Sequence, residues 1–184
     1  PFTLHLKTMY KPYHMGHLFS QVIPALPHGN DGLVFTPVQD AYRSGTCPKM
    51  LKWKPAHMNT VDFRLTAGAK DGQLVLQVAQ QGAHQEYCPF EPEPEDREAW
   101  LRDPPLGKIL ECRYDPGRPT APWRFVRFRE DKVMANAVHV VQKIIDSIGD
   151  NVKQEQLIKA CDRIKTAWEQ RHPEELKAKR TRIH

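Results

Sequence analysis

Hydrophobic and polar residues alternate along much of the first two thirds of the chain, and this alternation predicts short β-strands. Phe2, Leu4 and Leu6 alternate with polar residues, which is the pattern of a half-buried strand. The same alternation, or a short apolar run between turn residues, predicts strands at 33–35, 50–55, 60–65, 74–79, 109–114 and 123–129. The strands in the middle of the chain are numerous enough to form a small β-barrel.

Apolar residues at three- and four-residue spacing predict helices near the start and at the end of the chain. The first helix runs from Met15 to Ile23 and is ended by Pro24. Two further helical stripes cover 138–148, where Gly149 stops the pattern, and 157–168. Strands followed by helices predict the α+β fold class.

The overall charge favours phosphate-bearing partners only mildly. The chain has 27 Lys and Arg residues against 22 Asp and Glu residues, a formal net charge of +5, and many solvated protein surfaces carry such an excess. The four cysteines lie far apart without zinc-finger spacing, so we expect reduced thiols. No apolar run approaches the length of a membrane span, so we expect no membrane partner.

The last residues of the chain are strongly basic. They include Lys177, Lys179, Arg180 and Arg182, and such a cluster fits a nuclear address. A solvated chain end is the more common role of a basic tail.

Lys52 and Lys54 lie on one face of a predicted strand, and Leu51 and Trp53 lie on the other face. Two ammonium groups this close repel each other, and a bound anion such as phosphate would offset the repulsion. Lysines also protect exposed edge strands from pairing with other chains. For this pair of lysines alone, the edge-strand role is the simpler interpretation.

A dense set of charges marks the end of the last predicted strand. By strand parity one face carries Trp123, Phe125, Arg127 and Arg129, and Asp131 and Lys132 follow directly. Arginine binds phosphate oxygens in bidentate fashion and a nearby lysine adds a point charge, as a polyphosphate or a leaving pyrophosphate requires. A surface ladder of Arg–Asp ion pairs, each contributing only ~0–1 kcal/mol, explains the pattern equally well.

Two acidic residues adjoin the strands that carry these cations. Asp31 precedes the strand at 33–35, and Asp62 lies within the strand at 60–65. Carboxylate oxygens at such positions suit Mg²⁺ or Mn²⁺. A turn before Gly32 is a sufficient role for Asp31, and a salt bridge to a lysine is the simpler role for Asp62.

Three segments are similar, in this order, to the nucleotidyltransferase motifs of mRNA capping guanylyltransferases. They are DGLVFTP at 31–37, LKWKPAHMNTVDF at 51–63 and WRFVRFREDKVMAN at 123–136. DGLVFTP is unspecific by itself, whereas LKWKP followed by TVDF, and the WxxxRxRxDK signature, are specific to that family. The chain therefore resembles the C-terminal portion of a eukaryotic, fungal-like capping guanylyltransferase.

The resemblance implies a reaction and a set of site residues. The family transfers GMP from GTP to the diphosphate 5′ end of RNA through a lysyl-GMP intermediate, with Mg²⁺ or Mn²⁺. By motif position, the resemblance implies that Lys52 and Lys54 contact the α-phosphate of GTP, and that Asp31 and Asp62 lie near phosphate and metal. It also implies that Arg129, Asp131 and Lys132 orient the β- and γ-phosphates, with Arg127 as a weaker candidate for binding the nucleotide.

The resemblance also implies a domain plan and partners. Residues 1–62 would be the C-terminal part of a nucleotidyltransferase domain, 63–134 an OB-fold barrel, and 135–184 C-terminal helices. The implied substrate partner is 5′-diphosphate RNA. Further implied partners are an RNA 5′-triphosphatase and the phosphorylated tail of RNA polymerase II, and the implied location is the nucleus.

One departure from the family pattern is large: the KxDG motif that carries the nucleophilic lysine is absent. The nearest string, Lys70-Asp71-Gly72, lacks the intervening residue and lies after LKWKP, so we predict a turn there. Because the chain also starts at Pro1, we expect that it begins downstream of the nucleophile and is inactive alone. Two alternatives stay open: a fragment of an ATP-dependent polynucleotide ligase, and a non-catalytic OB-fold module that binds RNA or a protein partner.

Overall fold

A computed structural model describes residues 2–70 and 72–174. Asp71 of the predicted turn and the basic residues Lys177, Lys179, Arg180 and Arg182 lie outside the described residues. The described chain folds as two compact units. The first is formed by residues up to Lys54 together with residues from Val152 onward, and the second by residues Pro55–Asn151.

The first unit combines short helical turns, a two-stranded sheet and one long helix. The turns are the 3₁₀ helices Pro12–His14 and Ile23–Ala25, the α-helical turn α1 (Met15–His17) and the π-helical turn Leu18–Val22. The other elements are the antiparallel strands β1 (Leu33–Phe35) and β2 (Leu51–Trp53) and the C-terminal helix α4 (Gln154–Arg171).

The small core of the first unit forms where the helical turns meet α4. Met15 is buried, and the Trp168 ring of α4 packs 5.7 Å from the ring of Tyr13. The predicted helix from Met15 to Ile23 is thus confirmed as a run of helical turns. The predicted strand at Phe2–Leu6 is wrong: no described strand pairs with it, and the side chains of Phe2, Leu4 and Leu6 are exposed. Alternation marks a possible strand face, but a strand needs a hydrogen-bonding neighbour.

The second unit is built on one five-stranded antiparallel sheet. Its strands are β3 (Thr60–Ala67), β4 (Leu74–Gln80), β5 (Ala83–Phe90), β6 (Ile109–Tyr114) and β7 (Trp123–Phe128), in the spatial order β5-β4-β3-β6-β7. Its helices are the 3₁₀ turn Ala56–Met58, α2 (Pro94–Arg102) and α3 (Val138–Asp150). Among the described residues β5 and β7 form the two ends of the sheet, so the sheet is open, as in a partly open OB-type barrel.

The core of the second unit lies on one face of this sheet. Val61, Phe63 and Leu65 alternate along β3 with side chains that face away from the core, as predicted. Trp123 packs edge-on against Phe63 at 4.8 Å between ring centroids, and Val141 brings α3 into the same cluster. The sheet and the packed helices confirm the α+β class.

Glu93, which directly precedes α2, is anchored in the second unit by two arginines. Glu93 accepts hydrogen bonds from Arg118 and Arg124, at 3.0 Å and 2.7 Å to its Oε2 atom. The strand β5 before it was not predicted. It runs along the edge of the sheet, which is the position that tolerates Pro89 within a strand.

The two C-terminal helices belong to different units. α3 packs on the five-stranded sheet, and α4 packs on the helical turns of the first unit. The predicted boundaries after residues 62 and 134 both fall inside the second unit, and the three-part domain plan stays a prediction. α3 continues through Gly149 to Asp150 because Asn151, with φ of 43°, provides the left-handed residue after the helix. No described helix has the length and apolar character needed to span a bilayer.

Candidate functional site

In the first unit, the hairpin of β1 and β2 carries Lys52, Lys54 and Asp31. Lys52 lies opposite Val34 in the ladder, and Lys54 follows β2 directly. The Lys54 ammonium forms an ion pair with the carboxylate of Asp31. The hydrogen bond from Lys54 lowers the pKa of Asp31 below its usual value, with a smaller contribution from the charge of Lys52. Asp31 and the two lysines therefore form one local cluster.

Gly32 permits this arrangement because the chain crosses β2 very closely. A Cβ atom at this position would lie 2.0 Å from the carbonyl oxygen of Trp53, and the φ of Gly32 is 149°. No residue with a side chain fits there without moving the backbone. The Trp53 side chain donates a hydrogen bond from Nε1 to the Val152 carbonyl at 2.8 Å, so β2 is also tied to the segment before α4.

The surroundings of Lys52 are open. Leu51 was predicted to face inward with Trp53, but its side chain is 64% exposed because a two-stranded sheet of three-residue strands covers little surface. Lys52 lines a groove together with Thr36, Pro37, Met50 and the segment 40–47. Lys52 has no ion pair among the described residues. Its ammonium group is therefore available to an anionic ligand.

In the second unit, Asp62 lies at the centre of the candidate site. It sits on the face of β3 opposite the core, yet its side chain is only 7% exposed. Arg129 donates from Nη1 to both of its carboxylate oxygens, at 3.2 Å and 3.1 Å, and Lys132 forms an ion pair with it. One buried carboxylate therefore positions two of the predicted site cations.

Asp131 holds the other side of the Arg129 guanidinium. Its two oxygens accept hydrogen bonds from Nε at 2.8 Å and Nη2 at 2.7 Å, a bidentate arrangement. This contact lowers the pKa of Asp131 to about 2 and raises the pKa of Arg129. The backbone N–H of Lys132 donates to the carbonyl of Arg129 at 3.1 Å, so a tight turn places Lys132 beside the same acid as Arg129.

Arg127 belongs to a neighbouring part of the same network. It donates from Nε to Glu111 on β6 at 2.7 Å, and the Thr60 hydroxyl donates to the other oxygen of Glu111 at 2.7 Å. Burial tends to raise the pKa of Glu111, but the hydrogen bonds from Thr60 and Arg127 lower it overall. Arg127 itself is 63% exposed, more than Arg129 at 18% or Lys132 at 35%.

A β-bulge corrects the predicted face of Arg127 and Arg129. Glu111 pairs with Arg127 but the next residue, Cys112, pairs with Phe125, so Val126 is an extra residue in β7. Beyond the bulge the alternation shifts by one residue. Trp123 and Phe125 pack against the core, whereas Arg127 lies on the opposite face with Glu111. The prediction that all four side chains share one face is therefore wrong.

Asn136 fastens Asp62 from outside the sheet. The backbone N–H of Asp62 donates to the Asn136 side-chain oxygen at 2.8 Å, and the Asn136 backbone N–H donates to the Asp62 carbonyl at 2.7 Å. The Asn136 carbonyl in turn accepts from Ala79 of β4 at 2.9 Å. The segment after the site turn is thus hydrogen-bonded to the backbones of Asp62 and of β4.

A divalent metal does not fit the acids as they are arranged here. Asp31 is paired with Lys54, and both oxygens of Asp62 are engaged by cations. Residues 2–70 and 72–174 contain no group of three His, Cys, Asp or Glu side chains that would hold a metal ion. The metal role of Asp31 and Asp62 stays a prediction.

The structure brings Asp62, Arg127, Arg129, Asp131 and Lys132 together in the second unit, and Asp31, Lys52 and Lys54 together in the first. Sequence reasoning missed Glu111, Thr60 and Asn136. Glu111 had a visible signal, since it is the one acid in the apolar run of β6. Asn136 had none, because its role depends on contacts with two strands far away in sequence.

Comparisons with known proteins point to one family. A family model described as "mRNA capping enzyme, catalytic domain" matches residues 1–56, and one described as "mRNA capping enzyme, C-terminal domain" matches residues 58–158. The mRNA-capping enzyme subunit alpha of Schizosaccharomyces pombe is 37% identical over 182 residues, covering 91% of this chain and 44% of the relative. For the Neurospora crassa subunit alpha the identity is 30%, covering 91% and 48%. The mouse mRNA-capping enzyme is 33% identical over 144 residues, covering 76% and 22%. The chain spans less than half the length of these relatives.

Proposed function

Because the chain belongs to the mRNA capping enzyme family, we propose that it provides the phosphate-binding part of a guanylyltransferase. The whole protein would move GMP from GTP to the diphosphate 5′ end of RNA. KxDG does not occur in the 184 residues, so the nucleophilic lysine is proposed to lie outside this chain. The chain alone is proposed to be inactive.

The observation that carries this proposal is the buried carboxylate of Asp62 with Arg129 and Lys132 on it. Charge on the β- and γ-phosphates grows as the bond to the α-phosphate breaks, and fixed cations stabilise that charge without reorganising. Asp62 and Asp131 hold the guanidinium of Arg129 from two sides. In the proposed role, Arg129 and Lys132 stabilise the leaving pyrophosphate, and the acids orient them.

The lysines of the first unit are proposed to bind the α-phosphate. The ion pair of Lys54 with Asp31 is exposed, with 37% and 70% of the two side chains accessible. An exposed pair contributes only ~0–1 kcal/mol, so a phosphate replaces Asp31 at little cost. Lys52, which lines the open groove, would bind the same phosphate beside Lys54.

The remaining parts of the proposal concern partners and location. A divalent metal, Mg²⁺ or Mn²⁺, is proposed as a cofactor of the whole protein. An RNA 5′-triphosphatase and the phosphorylated tail of RNA polymerase II are proposed partners, and the nucleus is the proposed location. These proposals follow from family membership.

Covalent labelling tests the proposed reaction. The chain, alone and as the longer protein read from the upstream reading frame, is incubated with α-labelled GTP or ATP and a divalent metal, then denatured. We expect label from GTP only in the longer protein, and a strong loss with Arg129→Gln but not with Arg113→Gln, which changes an exposed arginine of β6.

The other outcomes assign a different function. Label from ATP would indicate a polynucleotide ligase. Label on the 184-residue chain alone would make one of its own lysines the nucleophile. No label on either protein would favour the non-catalytic OB-fold binding module.

A further inference from the structure

A groove in the second unit contains Arg129, Lys132 and two cations that the site described above does not use. The groove has a volume of about 390 Å³. Its charged lining residues are Arg64, Lys108, Arg129, Lys132 and Glu130. Asp62 and Asp131 pair with Arg129 and Lys132, and Glu130 is the one acid in the lining, so the groove keeps a net positive charge that attracts phosphates.

Arg64 and Lys108 differ from the other two cations because no described carboxylate neutralises them. Arg64 donates to the neutral side chain of Gln77 at 2.9 Å, and its positive charge adds to burial in lowering the pKa of His84. The Lys108 ammonium lies 4.9 Å from the ring centre of Phe128, a contact that leaves its charge intact. Neither cation forms an ion pair with a carboxylate of residues 2–70 or 72–174.

The backbone fixes both cations at the groove. Arg64 is on the same face of β3 as Asp62, two residues away. Gly107, with φ of 81°, donates to the Leu65 carbonyl at 2.8 Å, and the Leu65 N–H donates to the Lys108 carbonyl at 3.0 Å. The loop that carries Lys108 is therefore fastened to the strand that carries Arg64.

We propose that Arg64 and Lys108 bind internucleotide phosphates of the acceptor RNA, next to the two cations that are proposed to stabilise the leaving pyrophosphate. The contact is with phosphate and not with bases, because the ring of Phe128 is already covered by Lys108 and stacked with Trp100 at 5.8 Å. Binding is therefore independent of sequence and strongly dependent on salt. The choice of RNA as the occupant rests on the proposed function.

Binding of short RNA to the 184-residue chain tests this inference. Fluorescence anisotropy is followed over a salt series with a 5′-hydroxyl oligonucleotide, which has internucleotide phosphates only, and with tripolyphosphate as a competitor, which has none. For Arg64→Gln/Lys108→Gln we expect RNA binding about tenfold weaker and a salt slope smaller by about 1.4, since each single-strand phosphate contact adds about 0.7. Competition by tripolyphosphate should change little.

The matched control is Arg113→Gln/Lys143→Gln, which removes the same charges from exposed positions outside the groove. An equal loss in this control would overturn the inference. The inference would also be overturned if Arg64→Gln/Lys108→Gln lost tripolyphosphate binding but kept its affinity for the RNA. The groove would then bind the nucleotide phosphates. If Arg64→Gln lowers the melting temperature, the single variant Lys108→Gln is used for the test. Its salt slope of RNA binding is then expected to fall by half as much as in the double variant. A negative GMP-labelling result leaves this binding measurement unaffected, so the two proposals fail separately.

Discussion

The two units hold their site cations in different ways. In the first unit, Lys54 meets Asp31 at the end of a hairpin of three-residue strands, and 70% of the acid side chain is exposed. In the second, Arg129 and Lys132 meet Asp62 on an eight-residue strand, and 7% of that acid is exposed. An exposed pair contributes ~0–1 kcal/mol, whereas removing one partner of a buried pair costs about 3–5 kcal/mol. The same pairing of charges is therefore exchangeable in one unit and structural in the other.

The substitution Asp62→Ala should have the largest effect. It leaves Arg129 and Lys132 without their shared carboxylate, so we expect the free energy of unfolding of the second unit to fall by about 3–5 kcal/mol. Urea denaturation, monitored by hydrogen exchange of peptides from β3 and β6, measures this loss. The matched control Asp31→Ala removes an exposed acid and should cost no more than about 1 kcal/mol. Equal losses in the two variants would break the comparison.

Gly32→Ala should damage the first unit almost as much. A Cβ atom 2.0 Å from the Trp53 carbonyl forces the backbone apart, and a residue with a side chain is strained at this φ. We expect a loss of about 3 kcal/mol, seen as faster hydrogen exchange in β1 and β2 and unchanged exchange in β3. Gly29→Ala is the control, since a Cβ there has open space. A folded hairpin in Gly32→Ala would show that its close crossing is not required.

Asn136→Ala should have an intermediate effect in the second unit. The buried N–H of Asp62 loses its acceptor, which costs about 1–3 kcal/mol. Because Asp62 orients the cations, we also expect the longer protein to lose GMP labelling beyond what its stability loss explains. Asn136→Asp, which keeps an acceptor oxygen, should restore part of the stability. If it restores nothing, the hydrogen bond to Asp62 is not the reason for the loss.

The smallest effect should be a change in acid stability on Asp131→Asn. The pKa of Asp131 is lowered from 3.8 to about 2 by Arg129, so its contribution is complete above pH 3.8 and is lost as the pH falls through about 2. The wild-type chain should therefore lose more stability between about pH 5 and pH 2.5 than the variant. Urea midpoints at both pH values measure the difference, with Asp103→Asn as the control. Identical pH dependence in wild type and Asp131→Asn would contradict the assignment.

Sequence patterns predicted the elements that depend on local periodicity. The strand at Leu51–Trp53 and the two C-terminal helices follow from the spacing of apolar residues alone. The site residues Arg129, Asp131 and Lys132 stand close together in the sequence, so their clustering needed no knowledge of the fold. Their roles came from the family resemblance and not from spacing.

What could not be predicted depends on contacts between distant segments. The edge strand β5 is polar, and its place is set by pairing with β4 rather than by its own pattern. The backbone N–H of Asp62 has its acceptor on Asn136, which lies 74 positions further along the chain. The face of Arg127 depends on a bulge that is defined only by the partner strand. In each of these three cases, tertiary contacts select one of several conformations that the local sequence allows equally well.

The bulge at Val126 bears on how this protein can diverge over evolution. Phe125 and Phe128 both pack against the core, with an extra residue between them. A descendant that lost Val126 would have a regular strand in which Phe128 still faces the core and Arg127 still faces Glu111. Deletion of one more residue would move the side chains after the deletion to the opposite face of β7. Natural variation in length is therefore tolerable at this one position of β7, and selection should act against it in the residues on either side.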